Sequence, residues 1–395
     1  TSPYLFGDWN GERTRLEEQG ISFNLGYGGG ELAHNITGGT SHRTEWAGQL
    51  YLGANLDLDK LWGWSGASFH FVMTGRNGNN LSQTGQTWLL TQFSYEQKFL
   101  DGKIDWNIGR LPIGANFGFG TCDYQNLGFF CGATVGNIGG NYWYNWPLSS
   151  WATNIKLKTS DETYIQLGAY QVNKNYVNQR YQRSHGFYPD FPGGTLGWTI
   201  PLEFGWTPTL RGLPGYYRFG FFYSTANTTD IFHDNRNEPF LLTGNPAKKR
   251  DGNYGGYLNF TQQVTGTPGG KGLDVIFAFT QSNPNTANSV QQQQVGVGVQ
   301  YHGPFDRLND SIGFAVGGTK VSGRLRSYDE LYNDLNPATP VPVQSGYEYI
   351  SELYYSWSPI PSIQLRPDVQ YIMHPGASTQ NSNIWVIGMK TRFSF

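Results

Sequence analysis

The C-terminal stretch Ile384-Trp-Val-Ile-Gly-Met-Lys-Thr-Arg-Phe-Ser-Phe395 separates into two sets by parity. Trp385, Ile387, Met389, Thr391, Phe393 and Phe395 form an apolar or nearly apolar set, and Gly388, Lys390, Arg392 and Ser394 fall between them, with Ile384 and Val386 as the exceptions. A period of two puts successive side chains on opposite faces of a strand. The stretch therefore predicts a β-strand with one greasy face and a terminal aromatic ring. The same alternation is clear at 49–58, where Leu50, Leu52, Ala54, Leu56 and Leu58 alternate with Gln49, Tyr51, Gly53, Asn55 and Asp57. It recurs in Ile104, Trp106 and Ile108 against Asp105 and Asn107, and in Val295, Val297 and Val299 against Gln294, Gly296 and Gln300.

Sixteen such segments are predicted, near 21–35, 44–58, 66–76, 88–99, 103–112, 150–159, 163–173, 197–206, 216–226, 254–264, 272–282, 293–302, 311–322, 347–357, 363–373 and 384–395. The connections alternate in length. Short ones (59–65, 100–102, 160–162 and onward) take turns with mostly longer ones, of which 113–149 is by far the longest. An even strand count with short turns at one end and long loops at the other predicts an all-β, 16-stranded antiparallel transmembrane barrel. The third long loop, 113–149, is expected to fold inward. Trp62, Trp64, Phe99, Trp206, Trp357 and Phe395 fall at the short-turn ends, as an aromatic girdle at a membrane interface requires. The terminal Phe395 then suits the sorting signal of an outer-membrane barrel.

Composition agrees. Aromatic residues make up 16% of the 395 positions and charged residues only 14%, against about 25% charged in a soluble domain. Mean hydropathy is −0.48, and no run approaches the roughly 18 apolar residues of a transmembrane helix. A barrel with an apolar outer face and a polar lumen resolves that contrast. Net charge is −2 and no basic patch stands out, so no nucleic-acid partner is expected. The chain begins at Thr1 without an apolar leader and reads as a mature, exported protein. Residues 1–20 read as a short helix at the periplasmic end, capped by Asp8 or Asn10 and ended by Gly20; residues 21–395 read as one barrel.

The stretch Phe6-Gly-Asp-Trp-Asn-Gly-Glu-Arg-Thr-Arg-Leu-Glu-Glu-Gln-Gly-Ile21 closely resembles the N-terminal motif of the OprB family of carbohydrate-selective porins. Gly109-Arg-Leu-Pro-Ile-Gly114 and the terminal Phe395 are also similar to that family, though less specific. The resemblance implies passive, selective uptake of carbohydrates across the outer membrane, monosaccharides such as glucose above all. The alternative is a general diffusion porin for small hydrophilic solutes. An enzyme is not expected. The seven histidines are scattered, and none has a local Ser or Asp motif from which a catalytic constellation is built. No cofactor or metal is expected, and lipid and sugar are the expected partners of a monomer or homotrimer.

Candidate sugar contacts follow from strand direction. Arg76 ends the third strand, Arg110 ends the fifth just before the long loop, and Glu96 faces inward on the fourth. An arginine fork donates to two hydroxyls and a carboxylate accepts from two; the resemblance implies a constriction lined by arginine and glutamate. The competing reading is a set of wall ion pairs that keep the barrel in shape. Tyr142, Trp143 and Trp146 cluster where the loop returns. They are either a platform for sugar rings or an anchor, and a returning loop must bury something. Cys122 and Cys131 are expected to form a disulfide that stiffens the constriction by about 2–3 kcal/mol, or one that only guards the loop against proteases.

Overall fold

In the computed structural model of the protein, residues 2–39, 42–79, 85–118, 120–126, 143–185, 188–287 and 289–395 are described. The parity of the sequence becomes a closed sheet. Its strands are β1 (Ile21–Thr37), β2 (Thr44–Asp57), β3 (Ala67–Gly78), β4 (Trp88–Phe99), β5 (Ile104–Leu111), β6 (Ser150–Lys158), β7 (Thr163–Val172), β8 (Gly197–Trp206), β9 (Leu213–Ser224), β10 (Asn253–Gln263), β11 (Gly272–Ser282), β12 (Gln291–His302), β13 (Ser311–Val321), β14 (Tyr347–Ile360), β15 (Ile363–Met373) and β16 (Ile384–Ser394). Each pairs antiparallel with the next. The ring closes where β1 meets β16, from Gly26 opposite Ser394 to Thr37 opposite Trp385. Closure leaves no unpaired edge, which the hydrocarbon of a bilayer would not tolerate. Ile108, Ile155, Phe204, Phe219, Val297, Leu353, Val369 and Ile387 are exposed on the outside, as a lipid-facing band requires.

The N-terminal helix is shorter than the sequence predicts. A 3-10 turn, Trp9–Gly11, leads into an α-helix, Glu12–Glu18. Asp8 caps it, its Oδ1 accepting from the Thr14 amide at 2.9 Å and the Thr14 hydroxyl at 2.8 Å. Gly20 ends it with φ +99°. The helix is fastened to the seam of the barrel. The buried Arg13 donates through Nη2 to the Phe395 carbonyl at 2.9 Å and lies over the Tyr4 ring at 3.5 Å. Phe6 stacks on Phe395 with ring centroids 5.1 Å apart. The two chain ends thus meet at the periplasmic end, where Phe395 also bonds to the Leu25 carbonyl at 3.0 Å.

Two long extracellular loops carry structure that the sequence pattern did not indicate. Between β9 and β10 a hairpin pairs Thr228–Asp234 with Ala247–Arg250. Between β13 and β14 runs a helix, Gly323–Leu335, capped by Ser322. Asp230, fully buried, ties the two together. Its carboxylate takes the Arg250 guanidinium (Nη2 at 2.5 Å), the Arg324 guanidinium, and the amides of Phe232 and His233 at 2.9 and 3.0 Å. Burial works against the charged form, but those amides and guanidinia outweigh it and hold the Asp230 carboxyl below the usual carboxylate range. A group with a depressed folded pKa stabilises the fold above its unfolded value, near 3.9 for Asp, and loses that contribution as pH falls through the folded value. Hydrogen exchange of amides 228–250, corrected for intrinsic rates, is therefore expected to stay flat from neutrality to about pH 4 and to rise only below it. Loosening centred near pH 7 would contradict the tie.

Candidate functional site

The segment after β5 turns inward instead of rising into solvent. A short helix, Ile113–Asn116, begins at Pro112 and packs Ile113 and Phe117 into a buried cluster with Leu111, Trp143, Ala152, Tyr170, Phe222 and Tyr257. From this anchor the loop crosses the lumen. The wall holds it by its backbone at both ends of the crossing.

On the near side Glu203, on β8 and fully buried, accepts the Gly118 amide at 2.8 Å. It also takes the Tyr164 hydroxyl at 2.8 Å, the Tyr257 hydroxyl at 2.6 Å and the Gln166 amide at 2.8 Å. Four donors fill the accepting capacity of a carboxylate. Asn259 completes the grip by donating to the Gly118 carbonyl at 2.9 Å.

On the far side Glu352, on β14 and likewise buried, accepts the amides of Gln125 at 2.5 Å and Asn126 at 3.0 Å, one on each oxygen. Lys390 donates to the carbonyls of Cys122 at 2.8 Å and Tyr124 at 3.1 Å. Arg366 donates to the Asp123 carbonyl and pairs with the Asp123 carboxylate at 3.0 Å. Enclosure works against the charged form of Asp123, but Arg366, with hydrogen bonds from Gln300 and Thr121, holds its carboxyl below the usual range. Tyr124 is fully buried and packs edge-on against Tyr354 at 5.0 Å. The acids of the wall bind the loop's N–H groups and the bases bind its carbonyls. Alternation alone turns Glu203, Glu352 and Arg366 toward the lumen. Their partners lie on a distant loop, and alternation cannot reveal that.

The sequence candidates separate along the lumen. Arg76 is half-buried near the extracellular rim and interacts with Glu31; Glu31 in turn lies 3.5 Å from Lys390. Arg110 is buried rather than open to the lumen. It donates to the Ser149 carbonyl at 3.2 Å and lies over the Tyr176 ring at 4.6 Å. Glu96 sits nearer the periplasm, bonded to His70 at 2.8 Å and 3.4 Å from Lys98. In the β4–β5 register Glu96 faces Asn107 and Phe93 faces Arg110. That difference of three residues is about 10 Å along the strand, so Glu96 does not join the arginines. Trp143 is buried against Phe222 and Tyr257 at 5.4 and 6.4 Å, in keeping with an anchor rather than an open platform. Trp146 is half-buried. Tyr142 and Cys131 lie outside the described residues, and with them the expected Cys122–Cys131 bridge.

The loop leaves a cavity on either side. One of about 310 Å³ on the extracellular side is lined by Glu31, Asn35, Glu45, Gln125, Asn126 and Gln370, among others. One of about 320 Å³ toward the periplasm is lined by Asp123, Arg218, Asn259, Asp274, Gln300 and His302, among others. In the latter Asp274 and His302 pair at 3.1 Å. Both cavities offer closely spaced hydrogen-bond donors and acceptors.

A closed sixteen-stranded barrel with an apolar girdle and a loop fixed across its lumen is an outer-membrane porin. Residues 42–395 match the family model described as "Carbohydrate-selective porin, OprB family". The chain is 36% identical to Porin B of Pseudomonas aeruginosa over 426 residues, covering 100% of this chain and 92% of that one. It is 34% identical to the putative porin QuiX of Acinetobacter baylyi, covering 99% and 93%. Its fold is similar to the high-pH structure of Pseudomonas putida OprB, with a TM-score of 0.94, 36% identity and coverage of 100% and 99%. The chain belongs to the OprB family of carbohydrate-selective porins.

Glu352→Gln keeps one acceptor oxygen but presents an amide to the second loop N–H. Leaving that buried donor unmet costs about 1–3 kcal/mol. Single-channel conductance in planar bilayers is expected to rise, with more frequent fluctuation between levels. Conductance identical to the wild type would show that Glu352 does not hold the constriction.

Proposed function

We propose that this porin passes monosaccharides such as glucose in preference to other small solutes of equal size. The observation that carries the reading is the loop held across the lumen by Glu203 at one end and by Glu352, Arg366 and Lys390 at the other. A fixed constriction selects by size. The polar cavities on its two sides offer alternating donors and acceptors, which suits a neutral polyol. Each hydroxyl both gives and takes a hydrogen bond. A channel must also release its solute, so weak binding in the millimolar range, about −4 kcal/mol, is appropriate.

Arg76, beside Glu31, is the arginine we assign to passing sugar. Arg110 acts one step removed, by holding the loop's return at Ser149. Glu96 with His70 serves the periplasmic exit, and Trp143 and Trp146 seat the loop. A bridge between Cys122 and Cys131 adds stiffness to the loop.

Liposome swelling tests the reading directly. Glucose is expected to enter several-fold faster than an amino acid of similar size; equal rates would leave a general diffusion pore. Arg110→Ala is expected to lower that ratio by a few-fold while the barrel still assembles, read from the heat-modifiable mobility of the folded band. An unaltered ratio would remove Arg110 from the selectivity argument.

Replacing both cysteines with serine is expected to admit disaccharides that the wild type excludes. Disaccharide exclusion equal to the wild type would remove the bridge from the size filter.

A further inference from the structure

The helix Gly323–Leu335 presents two tyrosines one turn apart, Tyr328 and Tyr332, and neither is needed to build the barrel. Their rings are nearly parallel, 17° apart with centroids separated by 6.4 Å. Both line one cavity of about 450 Å³ at the extracellular end, together with Asp329, Val341, Gln344 and Asn381. That volume falls within the range of small-molecule pockets, roughly 300–1,000 Å³.

The cavity is built and held from several directions. Asp329 is buried, and its Oδ2 accepts the Gln344 amide at 2.9 Å, which fixes the floor. Gln344 donates to the Gly376 carbonyl at 3.0 Å, and Asn381 donates to the Pro375 carbonyl at 2.7 Å. Asn333 clasps Val341 through two bonds, at 2.9 and 2.8 Å. At the other end the helix is anchored by Arg324 on Asp230, and Tyr328 is backed by Phe240 at 5.9 Å. Three loops of the extracellular rim, after β9, β13 and β15, therefore meet at this helix.

The chemistry of the lining is amphipathic in a specific way. Two near-parallel aromatic faces stand beside a carboxylate and two carboxamides. Aromatic faces suit the flat C–H surface of a pyranose, and carboxylate and amide groups suit its hydroxyl edge. A lipid tail would offer nothing to the second Asp329 oxygen or to the Gln344 and Asn381 carboxamide oxygens, and a multivalent anion would meet a carboxylate.

We propose that this rim cavity is a docking site for sugar rings on the cell exterior, separate from the constriction and feeding it. The inference rests on the carbohydrate reading of the channel. By holding solute weakly at the mouth, the site raises the local concentration that the constriction sees when sugar is scarce.

The test uses a sugar that cannot enter the pore. Fluorescent dextran, a glucose polymer too large for the lumen, is titrated against the purified full-length barrel and followed by anisotropy, with a poly(ethylene glycol) of the same size as control. The wild type is expected to bind dextran in the millimolar range of chain ends and not the control polymer. Tyr328→Ala/Tyr332→Ala is expected to weaken that binding at least five-fold, whereas Tyr332→Phe, which keeps the ring, retains it. Heat-modifiable mobility reports that each variant is folded.

Equal dextran binding by the double alanine variant and the wild type would overturn the proposal, as would no dextran binding by the wild type. Glucose-selective swelling of wild-type liposomes is measured in parallel. If that selectivity persists while dextran binding fails, the rim site alone is wrong. If it is absent, the carbohydrate reading of the channel fails first.

Discussion

Where a loop crossing a barrel lumen is pressed against the wall and shut off from water, its backbone groups must be satisfied by wall side chains. Glu203 and Glu352 do this from opposite sides of the lumen. Each is buried and each accepts loop amides on one or both oxygens. A buried carboxylate is costly unless its oxygens are fully paired, and the loop amides supply that pairing. The dependence runs both ways. Without the loop Glu352 loses the two amides that meet its oxygens and Glu203 loses one of its four donors, and without the acids those loop N–H groups have no acceptor.

The rest of the molecule serves that geometry. The closed β1–β16 seam, locked by Arg13 and Phe6 on Phe395, fixes the barrel's circumference. Circumference sets the distance between β8 and β14, and hence whether one loop can reach both carboxylates. The cluster around Phe117, Trp143 and Tyr257 fixes where the loop leaves and rejoins the wall. Arg366 and Lys390 then choose its register by binding the carbonyls of residues 122–124. The wall also takes loop side chains, Asp123 on Arg366 and Tyr124 on Tyr354, so this part of the loop is fixed by both its backbone and its side chains.

Much of the fold was legible because a membrane imposes a strict two-residue code. Pairs such as Leu353 outside and Glu352 inside could be read directly, and the predicted strand at 363–373 coincides with β15 (Ile363–Met373). Strand ends were less legible where the pattern continues into a turn, as in β14, which runs to Ile360. The hairpin at Thr228–Asp234 and the helix at Gly323–Leu335 left no alternation to read. Their stability comes from Asp230 bridging two loops 94 residues apart in sequence. The site was the least legible part. Parity correctly turns Glu203 and Glu352 inward, but only the path of the loop decides that both are buried beneath it; Arg110 shares the parity of the outward-facing Ile108, and its burial against Ser149 and Tyr176 could not be read from alternation. Arg76 and Glu96 share a face yet lie at opposite ends of the lumen, because parity carries no information about depth.

The central claim is that the loop is held in one position across the pore. Distance measurement between spin labels at residue 126 on the loop and residue 369 on the lipid face of β15, with the protein in liposomes, addresses it directly. A single narrow distribution that broadens when Glu352 is replaced by Gln is the predicted result. A broad or multiple distribution in the wild-type protein would contradict the account.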